Sequence, residues 1–295
     1  MSSRRALAVL SAVSAVTLLA GCNDDQLAIG SGRTGDAVAL TASGKLLTFN
    51  RSELANLVSS VSITGLASGE SLLGIDVRPT DRLLYGVSNL ANIYTINDAT
   101  GVATLRFPLK AGAATTVTCA DGAPAPFTAL DGTEFGLDFN PQADRLRLAS
   151  DNGQNLRINV DDGAAIVDCP ITFLGGDAQP VPTGAAYTNS VPAAASTALM
   201  YVDSGTDMLY AIDSSTMDAG TMMPTNANNG ILRPVGPLGV DLGPANGFDI
   251  EAGSGTGYGL FTVGNVSSLY TIDTATGTAT LRVGFPEPLR GIALK

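Results

Sequence analysis

Short runs of alternating apolar and polar residues, separated by turn residues, dominate the chain from residue 37 onward. One unit reads LGIDVRPTDRLLYGVSNLANIYTINDATGVATLRF over residues 73–107. Its pattern predicts strands over 73–77, 82–88, 92–97 and 102–107, because a period of two sends successive side chains to opposite faces. The turn Asn97-Asp98-Ala99-Thr100-Gly101 recurs as Asp273-Thr274-Ala275-Thr276-Gly277, and more loosely as Asn159-Val160-Asp161-Asp162-Gly163. An Asx residue at the start and a glycine at the end fit a type I turn closed by a residue with positive φ. Each unit is therefore expected to be a four-stranded antiparallel meander.

The meander repeats. Its opening phrase appears as Gly74-Ile75-Asp76-Val77, Gly136-Leu137-Asp138-Phe139, Gly184-Ala185-Ala186-Tyr187, Gly247-Phe248-Asp249-Ile250 and Gly291-Ile292-Ala293-Leu294. Four strands per repeat of about 45–60 residues predict an all-β fold, a β-propeller of four-stranded antiparallel blades. The last phrase is a first strand without a unit of its own. Residues 37–49 read as second and third strands without a first, and 59–64 as their fourth. Pairing the C-terminal strand with this N-terminal blade closes the ring and gives five blades. The rival architecture is a ring of six, with an extra unit in residues 108–134.

The blocks LGIDVRP…RLLYG…NIYTIN, DFNP…DRLR…GQNLRIN and LYTID.ATG.ATL…LRGIAL resemble the bacterial domain-of-unknown-function family numbered 4394, over residues 37–295. The resemblance implies a propeller-like, extracytoplasmic repeat domain and no particular activity. The third phrase lacks the Asp and carries Ala186 in its place, so any ring of carboxylates is incomplete.

The N-terminus changes the picture of where the domain works. Arg4 and Arg5 precede an apolar run, ALAVLSAVSAVTLLA, that ends in Leu19-Ala20-Gly21-Cys22. The run is short for a spanning helix, which needs about 20 residues. The pattern resembles a bacterial lipobox, which implies a cleaved signal peptide over 1–21 and lipidation of Cys22. An ordinary signal peptide with a chance cysteine is the alternative. Residues 22–36 read as a tether, and a flexible chain of that length spans roughly 20 Å. The propeller domain then occupies 37–295, held at the membrane and facing the periplasm or the outside. Cleavage leaves 14 basic against 27 acidic residues, a net charge of −13. An acidic body of this kind argues against binding nucleic acid. Cys119 and Cys169 remain in an oxidising compartment and are expected to pair, with two buried thiols as the alternative.

Composition excludes several chemistries. The chain has no His and no Trp, so it has no Ser-His-Asp triad and no His-ligated metal. The stretch Gly253-Ser254-Gly255-Thr256-Gly257 lacks the Lys-Ser/Thr of a phosphate-binding loop and reads as a connection between strands.

What remains is Asp76, Asp138 and Asp249, on predicted first strands nearest the axis. They can bind Ca²⁺, which takes six to eight oxygen ligands, serve as acid, base or nucleophile, or accept hydrogen bonds within the blades. Arg82 and Arg145, after Asp81 and Asp144, can grip an anionic ligand or serve their turns. The amide-rich segment 150–159 can read a polar ligand or form a two-residue Asn152-Gly153 hairpin. Together these features point to a lipid-anchored envelope propeller that binds or scaffolds an envelope protein or a small polar ligand. A carboxylate-only or calcium-assisted hydrolase is the alternative, and it needs two carboxyls about 5–10 Å apart in an open funnel.

Overall fold

The computed structural model describes residues 28–29, 34–176, 178–217 and 224–295. The expected signal peptide and Cys22 lie outside the described residues, as does most of the expected tether.

Five sheets stand in a ring. From the axis outward, blade I joins Leu289–Leu294, Ala37–Thr41, Lys45–Asn50 and Glu53–Ser62. Blade II joins Leu72–Val77, Leu84–Ser88, Asn92–Ile96 and Ala103–Pro108. Blade III joins Phe135–Asn140, Arg145–Ser150, Asn155–Ile158 and Ala164–Val167. Blade IV joins Pro182–Tyr187, Leu199–Asp203, Met208–Ile212 and Ile231–Pro237. Blade V joins Asn246–Ile250, Gly257–Val263, Val266–Ile272 and Ala279–Gly284. The C-terminal strand pairs antiparallel with the N-terminal one, Val38 opposite Ala293 and Ala39 opposite Ile292. Both ends of the chain therefore build blade I.

The ring has five blades and not six. Residues 112–134 form no strand, and Lys110–Ala111 only adds a short parallel strand to the outer edge of blade III. Thr172–Phe173 does the same for blade IV, and Ala28–Ile29 for blade I. The loop is tied down by the disulfide between Cys119 and Cys169. The outer strand of blade I begins at Glu53, six residues before the sequence pattern places it. Register shifts at Thr48/Phe49 and Phe49/Asn50 break the alternation there, and a bulge of this kind hides a strand from a period-two reading.

Turn chemistry follows the sequence. Asn97 Oδ1 accepts the N–H groups of Ala99 and Thr100, each at 3.0 Å, and Gly101 takes φ 74°. Asp273 accepts from Ala275 at 2.9 Å, and Gly277 takes φ 84°. Asn152-Gly153 differs from expectation. Gly153 N–H bonds the Ser150 carbonyl and Ser150 N–H bonds the Gln154 carbonyl, so the loop has three residues, 151–153.

The core is divided. Five apolar clusters each lie between two neighbouring blades, among them Tyr85, Leu137 and Phe139 between II and III, and Ala39, Leu47, Leu260 and Ile292 between V and I. Each blade thus buries its faces against its neighbours, and closure of the ring supplies the last interface. At the axis the five phrase glycines let inner strands approach closely. A Cβ on Gly136 would lie 2.5 Å from the Ala185 nitrogen, and one on Gly247 would lie 2.8 Å from the Gly291 backbone.

Candidate functional site

Glycine and aspartate stand two apart in the opening phrase, so they share one face of the inner strand. The glycines form a collar around the axis that leaves a cavity of only about 10 Å³, room for at most about one water. Beyond the collar, the carboxylates of Asp76, Asp138 and Asp249 converge, with oxygens within 4.8 Å of one another. Their residues are 5%, 1% and 4% exposed.

Backbone amides hold each carboxylate. Asp76 accepts from its neighbour Val77 and from Phe139 of blade III, both at 2.7 Å. Asp249 accepts from Ile250 at 2.6 Å and from Leu294 of blade I at 2.7 Å. Asp138 accepts from Tyr187 of blade IV at 3.1 Å. Burial, then the charge of Asp249, pushes Asp76 well above the usual carboxylate range, against the N–H bonds from Phe139 and Val77. Burial and the charges of Asp76 and Asp249 push Asp138 up likewise. Burial raises Asp249 to about 7, against the N–H groups of Leu294 and Ile250. Three like charges this close cannot all ionise unaided. The trio either shares protons or holds a cation, and its all-oxygen donor set suits a hard divalent ion.

The trio is approached from the end where the inner strands finish. A funnel of about 210 Å³ lies there, with Asp76 and Asp249 in its floor and Arg51, Arg82, Glu251 and Lys295 around it. Arg51 is held over the ring of Tyr258, 4.7 Å from its centroid, and pairs with Glu251 at 2.9 Å. Lys295 pairs with Asp98. Arg82 is exposed and makes no ion pair among the described residues, and its charge works against the rise of the Asp76 pKa. Opposite charges thus face one small space.

Arg145 does not join Arg82. Its Nη1 donates to the Asp144 carbonyl at 2.8 Å, and it does not line the funnel. The two Asp-Arg pairs look equivalent in sequence but are one residue out of step in the blades. The left-handed residue stands eight positions after the axis glycine in both, as Arg82 (φ 62°) after Gly74 and as Asp144 (φ 52°) after Gly136. Asp144 therefore turns toward blade II, where it meets Arg78.

Arg78 is a residue that the sequence pattern did not single out. Its guanidinium forks onto Asp144 at 2.6 and 2.9 Å and onto Asp161 at 2.8 and 2.9 Å. These hydrogen bonds raise its pKa, Asp144 first and Asp161 second. Arg147, 1% exposed, is a second: it bonds Asn155, Asp168, Asn228 and the Tyr187 hydroxyl. The amide-rich segment is spent on this scaffold. Asn155 Nδ2 donates to the Cys169 and Ala227 carbonyls, and Gln154 bonds Ala129 and Asp131 of the long loop. The Gly253–Gly257 stretch is a turn on the rim of the funnel. Its other side bounds a shallow cleft of about 540 Å³ lined by hydroxyl side chains of blade V.

The hydrolase geometry is not met by the trio. That chemistry needs open carboxyls, whereas those of the trio are buried and the two in the floor of the funnel are bonded to backbone amides.

Similar folds occur among solved structures. A nidogen/laminin complex chain matches at 14% identity, over 87% of this chain and 97% of that one, with a TM-score of 0.48. A protein of unknown function from Bacteroides thetaiotaomicron matches at 14% identity, over 90% of this chain and 65% of that one, at 0.47. A putative 6-phosphogluconolactonase from Bacteroides uniformis matches at 13% identity, over 87% and 98%, at 0.42. No curated protein matches the sequence. Across residues 45–293 the sequence fits one family model, and the chain belongs to the family described as Domain of unknown function (DUF4394).

Proposed function

We propose that this protein is a lipid-anchored binding module of the cell envelope that takes a small polar ligand in the axial funnel. One observation carries the reading. Buried carboxylates at the floor and arginine and lysine side chains at the rim face a single space of about 210 Å³. That volume is below the usual range for organic ligands, about 300–1,000 Å³. It suits a hydrated divalent cation, or a small molecule that carries an amine toward the carboxylates and an anionic group toward Arg82. Attachment through Cys22 is supported by the leader pattern, and export is supported by the Cys119–Cys169 disulfide.

Thermal melts of the protein with EDTA, with Ca²⁺ and with a panel of small zwitterions test the reading. A ligand that binds only the folded state raises stability by RT ln(1 + [L]/Kd), about 2.7 kcal/mol at a hundredfold excess. The expected result is a rise in melting temperature that Asp249→Asn reduces for any probe that binds, and that Arg82→Ala reduces for a zwitterion but not for Ca²⁺. A melt that no probe moves, in either variant or the parent, refutes the funnel as a ligand site.

A further inference from the structure

We infer that the outer edge of blade I is the part of the ring that faces the lipid bilayer. This rests on the lipid-anchored reading and adds an orientation to it. The expected tether over 22–36 would let the ring turn freely, but Ala28–Ile29 is docked. It pairs parallel with the outer strand of blade I, Ala28 opposite Asn56 and Ile29 opposite Leu57. Six residue steps separate Cys22 from Ala28, at most about 20 Å of chain. The lipidated residue therefore lies near that strand, whatever path the steps take. Because the pairing is parallel, Ala28 lies on the Glu53 side of Ile29 along the outer strand, and Ser52 adjoins that end.

The surface at that edge is suited to the position. From Leu54 to Gly69 the outer strand and the connector after it carry no charged residue, although the whole chain has a net charge of −11. Ala55, Asn56, Ser60 and Ser62 are exposed there. An acidic body is repelled by an anionic leaflet over about a Debye length, and an uncharged edge is the side it can bring closest. The outer strand of blade IV lies across the ring, and its exposed Arg233 marks a position distant from blade I. Three strand spacings in each blade put that edge about 30 Å or more from the edge of blade I.

The test exploits a chain without tryptophan. Full-length protein is recovered from membranes, and the mass of its N-terminal peptide reports acylation at Cys22. It is then reconstituted into phosphatidylethanolamine–phosphatidylglycerol vesicles that carry a dansyl headgroup. Ser52→Trp, Ser60→Trp and Arg233→Trp each supply a single energy donor. Strong transfer is expected from positions 52 and 60, and transfer near the dansyl-free baseline from 233. Ile29→Pro, which disrupts the docked strand, should abolish the contrast without changing acylation. An acylated protein with equal transfer at all three positions, or with more at 233, overturns the orientation and leaves the anchor standing. A peptide without acyl chains overturns both.

Discussion

Asp76 on blade II accepts the backbone N–H of Phe139 on blade III, at 2.7 Å. The same contact runs from Asp138 to Tyr187 and from Asp249 to Leu294. Each aspartate thus joins its own inner strand to the next one around the ring. Ala186 and Ala293 hold the equivalent places in blades IV and I, so those two interfaces lack the contact. The trio therefore stitches blades together at the point where it can also meet a ligand.

Asparagine substitutions separate these roles. Both oxygens of Asp76 accept N–H groups, and an amide offers only one acceptor oxygen. Asp76→Asn turns an –NH₂ toward an N–H and should cost roughly 1–3 kcal/mol. Asp138 accepts one N–H, which an amide oxygen can satisfy while removing a charge from the trio. Asp138→Asn should keep the melting temperature or raise it, with the gain growing as pH rises. Urea titrations of both variants check this, and equal losses in the two would refute the assignment.

The trio also sets a sign for the pH dependence. A carboxyl whose folded pKa is raised stabilises the fold fully below its unfolded pKa, and that contribution is lost as pH rises through the folded value. For Asp249 the window runs from about 4 to about 7, a loss on the order of a few kcal/mol. Asp144 and Asp161, lowered by hydrogen bonds from Arg78, work the other way and lose their contribution as pH falls through their folded values. The difference between parent and Asp249→Asn isolates the first effect. In EDTA, the parent should lose stability relative to the variant between pH 5 and pH 8. A difference that stays flat with pH would show that Asp249 titrates normally.

The axis glycines give a sharper contrast. Gly136→Ala drives a methyl to 2.5 Å from the Ala185 nitrogen, a backbone atom that cannot swing aside. Overpacking of this kind costs about 1–3 kcal/mol. Gly253→Ala meets nothing within 4 Å and should stay within about 0.5 kcal/mol of the parent. Chemical denaturation of the pair measures the contrast directly.

The blades were legible because their signals are local. Turn sequences such as Asn97–Gly101 name their own geometry, and the glycine-led phrase marks every inner strand, with Asp in blades II, III and V. The same locality explains the misses. Arg82 and Arg145 look alike because a string comparison allows a one-residue shift that the strands do not. Arg78 meets Asp144 and Asp161, 66 and 83 residues away, and no local pattern announces a partner at that distance. Convergence of the three aspartates required the ring itself.

Arg78 tests how far such a long-range contact holds two blades together. It is 8% exposed, whereas Asp144 and Asp161 are 31% and 54% exposed. Removing the guanidinium leaves these two carboxylates and Asp81, 3.3 Å from its Nη1, all within reach of water, so the loss falls below that of a fully buried pair. Arg78→Ala should cost roughly 1.5–3 kcal/mol, the range for hydrogen bonds to charged groups. Arg78→Lys should recover little, because an ammonium cannot present two forks at once. The cost should also be smaller at pH 3 than at pH 7, since the stability that the lowered Asp144 and Asp161 contribute is fully present only above the ordinary carboxylate pKa and falls away below it. Denaturation of parent, Ala and Lys variants at both pH values measures all three. Full recovery by lysine would mean that charge alone, without the fork geometry, joins blade II to blade III.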